Sequence, residues 1–404
     1  MLTRLFHAWE HRLASATKDR VVRPFDWGLD WLPEPADGIT STGSSAFALT
    51  STYAAQAAGS LAFAASPRAE MPDSGRHRGS AATLTLDDPQ QRIERWVAEA
   101  MADSDAFFGI PATTAYDFVE APPDVRARGE AGQLRFPSAL ITPHPENNIV
   151  HARWFPAREE APLGRRSGRG RAVVVLPQWN SDAGGHIGLS RLLARCGISA
   201  LRLSLPYHDV RMPPELTRAD YIVSANVVRT VQVCRQAVMD ARRAVAWLAS
   251  QGFERIGILG TSLGSCLAML TAAHEPLIRA QALNHVSPWF ADVVWRGLST
   301  RHVREGLEGH VELDALRRLW RPISPWAHLE RVSRQRAAAA TLLVYARYDL
   351  TFPVDLSLSL ISEYRRRGIR HDVAELRCGH YSTGYAPFKF VDGYLLTRFL
   401  RRAL

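Results

Sequence analysis

The sequence predicts an α/β protein built on a mostly parallel eight-stranded sheet flanked by helices, and two observations lead there. From about residue 134 to the C-terminus, short apolar runs alternate with longer amphipathic stretches, which is how strand–helix–strand units read when helices cover both faces of a sheet. The composition supplies the material. With 404 residues, 46% hydrophobic and 22% charged, the chain has an ordinary globular balance that excludes a wholly disordered or collagen-like protein.

In residues 1–37, Leu2, Leu5, Phe6, Trp9 and Leu13 recur at helical spacing, opposite Arg4, His7, His11 and Arg12. Apolar stripes on helices usually face cores, so packing on the main domain is favoured over the alternative, peripheral membrane association through residues 1–33. Residues 38–90, rich in Ala, Ser, Thr and Gly, read as a low-complexity linker. They carry no charge between Asp37 and Arg68, but polar residues interrupt AFALTSTYAAQAAGSLAFAAS too often for a membrane span. Residues 91–133 form a helical and Pro-rich lead-in, with Ile93, Trp96, Val97 and Met101 on one helix face.

Residues 134–404 form the main domain. ALIT (139–142) and IVHARWF (149–155) flank the turn-rich PHPENN and predict an antiparallel hairpin. Six strands that can be parallel follow, at 173–176, 199–205, 255–259, 280–286, 341–346 and 372–376, separated by helical stretches and closed by a helix from about Phe388. Residues 287–337 are long enough for a helical cap. Their Trp289, Phe290, Trp295, Trp320 and Trp326 suit either a lid over an acyl group or the packing of that cap on the core.

The chemistry concentrates at Gly260-Thr261-Ser262-Leu263-Gly264, a G-x-S-x-G at the end of an apolar strand and the start of a helix. At so tight a turn side chains two positions either side of the serine would collide, which glycine avoids, and the hydroxyl is lifted to a helix N-terminus. A serine hydroxyl needs a base, and the base needs an orienting group. Asp349 follows the strand TLLVYA and His380 follows DVAEL, so acid and histidine stand at successive strand ends in the order Ser262, Asp349, His380. His285 and His208, also near strand ends, and Trp289 are candidates for lining a substrate pocket. Asp355 and Asp392 fall within predicted helices and read as surface residues.

With these motifs, residues from about 134 onward resemble the α/β-hydrolase superfamily, in its serine-nucleophile branch, and look like uncharacterised abhydrolase-domain proteins. The resemblance implies Ser262 as nucleophile, His380 as general base and then acid, and Asp349 as the orienting carboxylate. It also implies an oxyanion hole from the N–H of Leu263 and a second donor in the loop after VVVL. That loop reads Leu176-Pro177-Gln178-Trp179-Asn180, without the His-Gly or glycine run common in the family. Trp179 is the expected second donor and Gln178 the next, because Pro177 has no N–H.

The expected activity is hydrolysis of a carboxylic ester, from a small molecule or a lipid, through an acyl-enzyme. The alternatives are a thioesterase, amidase or peptidase of the same fold, or a non-catalytic membrane-associated scaffold. No cofactor and no metal are called for. Four cysteines without C-x-x-C spacing fit a reducing compartment, and the charged N-terminal stretch lacks the apolar run of a secretory signal, so a cytoplasmic protein is expected. The net charge of +9 raises the question of nucleic acid. All but two of the 49 basic residues are arginine, and no nucleic-acid-binding motif accompanies them. The charge is therefore expected to serve anionic substrates or anionic lipid surfaces.

Overall fold

The computed structural model describes residues 2–17, 20–33, 88–157, 170–335 and 338–404. Nearly all of the expected linker lies outside these residues. Nine strands form one sheet: β1 (Asp117–Glu120), β2 (Gly132–Pro137), β3 (Ile149–Phe155), β4 (Gly170–Leu176), β5 (Ser199–Leu203), β6 (Phe253–Thr261), β7 (Ile278–Asn284), β8 (Ala340–Ala346) and β9 (His371–Leu376). Their order is β1-β2-β3-β5-β4-β6-β7-β8-β9. The first three strands join antiparallel, β3 lies antiparallel to β5, and β4 to β9 run parallel.

Two expectations are corrected here. The partner of β3 is not 139–142 but β2, with Pro137 opposite Ile149. The run GQLRFP carries only two large apolar side chains, Leu134 and Phe136, and its burial alternates residue by residue, as it does in a strand with one covered face. The ALIT run instead enters a loop, in which Asn148 Oδ1 accepts from Thr142 N at 2.8 Å and from Thr142 Oγ1 at 2.9 Å. The second correction is the strand count, nine rather than eight. The extra strand, β1, is a four-residue edge strand that is mostly exposed, and so short and polar a run carries no periodic signal.

Two apolar cores cover the sheet. On one face, helices Val227–Ser250 and Leu263–His274 pack with Val174, Leu201 and Ile258. On the other, helices Ile187–Arg195 and Phe388–Ala403 pack with Val173, Val175 and Leu259. Because β5 and β6 flank β4 on opposite sides, the chain reverses its winding there, and a crevice opens beyond the C-terminal ends of β4 and β6. The loop 177–180 and Ser262 both stand at that point.

The N-terminal helix Leu2–Ser15 lies against the main domain, with Phe6 stacked on Tyr348 at 4.5 Å between ring centres. Further along, Asn226 Nδ2 donates to Asp26 Oδ2 at 2.6 Å and Asp26 N to Ala225 O. Leu2 and Leu5 remain exposed. Among the described residues no helix is long and apolar enough to cross a membrane. Between β7 and β8 lie helices Phe290–Arg296, Arg301–Leu307, Leu313–Leu319 and Leu329–Arg334. Trp320 is fully buried there and donates to Val227 O, whereas Trp289 stacks on Trp326.

Candidate active site

Ser262 has φ 57° and ψ −120°, a conformation that L-residues avoid and that a well-packed surround must hold in place. That surround leaves no room for side chains. A Cβ at Gly260 would lie 2.0 Å from Gly264 O, and one at Gly264 would lie 2.3 Å from Leu176 O. The same close approach brings the end of β4, and so Gln178 and Trp179, beside the serine. No hydrogen bond among the described residues uses the backbone N–H of Gln178, Trp179 or Leu263, so these donors are available to an incoming oxygen.

Ser262 Oγ lies 3.1 Å from His380 Nε2, and His380 Nδ1 lies 2.9 Å from Asp349 Oδ2. A carboxylate can only accept, so Nδ1 carries the ring proton and Nε2 is free to accept from the serine. The three residues expected from chain order are thus linked through His380, which lies within hydrogen-bonding distance of both Ser262 and Asp349.

Asp349 is more elaborately held than the sequence indicates. Its Oδ2 also accepts from His285 Nδ1 at 2.9 Å, while Oδ1 accepts from Thr351 N at 2.8 Å and Phe352 N at 2.7 Å. Burial alone would raise its pKa, but the His380 charge and the donors from both histidines outweigh burial and hold the carboxyl well below its usual range. His285 and His380 lie ring to ring, 4.4 Å between centres, and Phe352 stacks on the other side of His380 at 5.3 Å. Among the described residues, His285, Asp349 and His380 are the group whose donor atoms, within 4.8 Å of one another, could hold a metal ion. Both Nδ1 atoms are already engaged with the carboxylate.

His208 is buried in the wall of the large cleft beside Ser262. Its Nδ1 donates to Pro206 O at 2.8 Å, and its Nε2 accepts from Asn180 N at 2.9 Å, which fixes the loop carrying Gln178 and Trp179. Burial lowers its pKa to about 4, so the ring is neutral and able to accept. Trp289 borders a small apolar cavity next to Ser262.

No protein-family model and no curated protein matches the sequence. Solved structures do match the fold. The chain is similar to acetyl xylan esterase from Paenibacillus sp. R4, at 16% identity and TM-score 0.54 over 80% of this chain and 97% of that one. Acetyl xylan esterase 1 from Thermoanaerobacterium sp. JW/SL YS485 gives 14% and 0.53, over 78% and 94%. Acylaminoacyl peptidase from Pyrococcus horikoshii gives 14% and 0.51 over 72% of this chain, which spans only 42% of that protein's length. The fold is that of the α/β-hydrolases.

Two residues of this α/β-hydrolase fold that the sequence did not single out for the site stand close to it. Glu10, on the N-terminal helix, is fully buried and accepts from Tyr381 N at 2.8 Å and Ser382 N at 2.9 Å, immediately after His380. Its carboxyl fills the space where a side chain at Gly379 would be, 2.3 Å from the position of a Cβ. An acid on an amphipathic helix gives no signal of this in sequence, because its partners are backbone groups at the other end of the chain.

The second is Asp392, which corrects the surface reading; Asp355 does sit at the surface, paired with Arg296. Asp392 Oδ2 accepts from Asn284 Nδ2 at 2.9 Å, and Oδ1 is buried with no partner among the described residues. Burial pushes its pKa up to about 6, although His285 and the Asn284 hydrogen bond act the other way. The folded protein therefore keeps this proton where the unfolded chain has lost it, and the cost grows from about pH 4 and is complete above pH 6. Asp392→Asn is expected to leave stability unchanged at pH 4 and to raise it by about 2 kcal/mol at pH 8. Urea unfolding at the two pH values measures this, and equal effects at both would remove the burial account.

Proposed function

We propose that the chain is a serine hydrolase that cleaves a carboxylic ester through an acyl-enzyme. The observation that carries the proposal is the run Ser262 Oγ, His380 Nε2, His380 Nδ1 and Asp349 Oδ2, with separations of 3.1 and 2.9 Å, on a serine of positive φ. His380 accepts the serine proton as Oγ attacks the carbonyl carbon, and Asp349 stabilises the imidazolium that forms. The oxyanion is held by the N–H of Leu263 and by that of Trp179 or Gln178. Collapse breaks the bond to the leaving oxygen, which takes the proton from His380. Water, deprotonated by His380, then attacks the acyl carbon and releases the acid and Ser262.

Purified protein is expected to react covalently with a fluorophosphonate probe at one site, and Ser262→Ala to abolish labelling while unfolding at the wild-type temperature. A folded wild-type protein that is neither labelled nor active on short and long acyl esters would exclude this function.

A further inference from the structure

Asp349 holds two histidines, whereas the proposed ester cleavage passes its protons through one. The second, His285, leaves the end of β7 with φ 55°, a left-handed conformation that residues other than glycine keep only where their surroundings impose it. The surroundings are visible on both sides. Asn284 O accepts from Ser262 N at 2.8 Å, His285 O from Ser265 Oγ at 2.9 Å, and Val286 O from Ser357 Oγ at 2.6 Å. Three consecutive carbonyls are thereby tied to the nucleophile's turn, to the helix Leu263–His274 behind it and to the helix Val354–Arg366 beyond β8. Held in this way, the buried ring of His285 reaches Asp349 Oδ2 at 2.9 Å.

That oxygen is the one the reaction uses. A carboxylate offers about four lone-pair sites, and Asp349 fills them unequally in kind. Thr351 N and Phe352 N, both backbone donors, fix Oδ1, and only the Nδ1 atoms of His285 and His380 meet Oδ2. During turnover His380 gains and loses a proton at Nε2 and changes partner from serine to leaving group to water. His285 has no such exchange to make, so it is the constant partner of Oδ2. Its neutrality also matters. The two rings lie 4.4 Å apart between centres, with Phe352 against the other face of His380 at 5.3 Å. An Arg or Lys donating from the same place would set a full positive charge beside the imidazolium that forms on His380, whereas a neutral imidazole donates without opposing it.

We propose that His285 is a positioning residue for the ester cleavage: it donates Nδ1–H to Asp349 Oδ2 throughout turnover and keeps that oxygen in line with His380 Nδ1. It acts only through Asp349. The role rests on the hydrolase reading for the reaction it serves, but the donated bond is a property of the resting site.

Two variants separate this role from packing. His285→Asn keeps a donor, because Nδ2 of asparagine stands where the ring has Nδ1, and asparagine tolerates the left-handed backbone. His285→Gly suits that backbone too and has no donor. On a 4-nitrophenyl ester, His285→Gly is expected to lose at least tenfold in kcat with KM within threefold of wild type, since misplacing a catalytic group acts on the chemical step. His285→Asn is expected to be at least threefold faster than His285→Gly. A glycine variant with wild-type kcat, or an asparagine variant as slow as the glycine one, overturns the role while ester cleavage by the wild type stands. A wild type that cleaves no ester removes the hydrolase and the role together.

A second readout needs no turnover. In Ser262→Ala labelled with ¹⁵N-histidine, adding His285→Asn is expected to remove one strongly deshielded Nδ1–H resonance, that of the ring bonded to the carboxylate. Adding His285→Gly instead is expected to remove the same resonance and to move that of His380 Nδ1–H further downfield, because the shared oxygen then serves one donor. If His285→Asn removes no deshielded resonance, the donated bond is overturned whether or not the glycine variant folds. A His380 resonance indifferent to a folded glycine variant overturns the sharing of Oδ2.

Discussion

Asp349→Asn is expected to lower kcat/KM on an ester by about 10⁴-fold, the scale of losing an orienting carboxylate from a serine–histidine pair. The four hydrogen bonds to Asp349 make the case unusually severe. His285 and His380 donate to one oxygen, and Thr351 N and Phe352 N donate to the other. An amide offers one accepting oxygen and one donating NH₂, so one pair of N–H groups must face donors. If the NH₂ faces the histidines, His380 is driven to the tautomer with its proton on Nε2, the wrong side for accepting from Ser262. If it faces the backbone, the loop after β8 loses two buried hydrogen bonds.

A stability loss of about 3 kcal/mol or more accompanies the activity loss, because removing one member of a buried charged network leaves the others unpaired. Since this carboxyl is held below its usual pKa, its contribution is complete above about pH 4 and is lost as pH falls through the folded value. The difference in stability between wild type and Asp349→Asn should therefore shrink on acidification. Kinetics at pH 7 and denaturant unfolding at pH 7 and pH 3 check both parts. An activity loss under tenfold would take Asp349 out of the reaction.

Glu10→Ala is expected to lower kcat about 10- to 100-fold with little change in KM. Glu10 touches no atom of the proposed reaction, and it acts by fixing the backbone at Tyr381 and Ser382, next to His380. Without it two N–H groups lose their acceptor, at a cost of about 1–3 kcal/mol each if they stay buried. Misplacement of a catalytic group by about 1 Å costs about 10²-fold. Phe6 on Tyr348 ties the same helix to the residue before Asp349, so the N-terminal helix braces both the acid and the histidine loops. Slower fluorophosphonate labelling of Glu10→Ala, with ester KM retained, distinguishes misplacement of His380 from general unfolding. Wild-type kcat would show that the helix is packing and nothing more.

The parallel half of the sheet was legible in the sequence because its inner strands are largely buried on both faces and read as apolar runs, as VVVL and RIGIL do, although the edge strand β9 is partly exposed. The antiparallel edge was not. β2 has one covered face and only two large apolar residues, while the more apolar ALIT next to it has no strand partner. Ser262, Asp349 and His380 were found through their places at strand ends, a property of chain order. Glu10, Asp392 and the bond from His285 to Asp349 depend on contacts between distant elements, and no local pattern encodes such contacts. Asp392 misled the reading because one helix face meets both solvent and cleft.

The bond from Tyr381 N to Glu10 spans 371 positions of sequence. Synthesis delivers the bracing helix long before the histidine loop, and in that interval the helix has no loop to hold and its Phe6 and Trp9 lack their partners Tyr348 and Tyr385. Contacts of such separation form late and slowly. A nascent chain that has not yet released Ser382 therefore lacks the braced form of the proposed site, however well the sheet has formed.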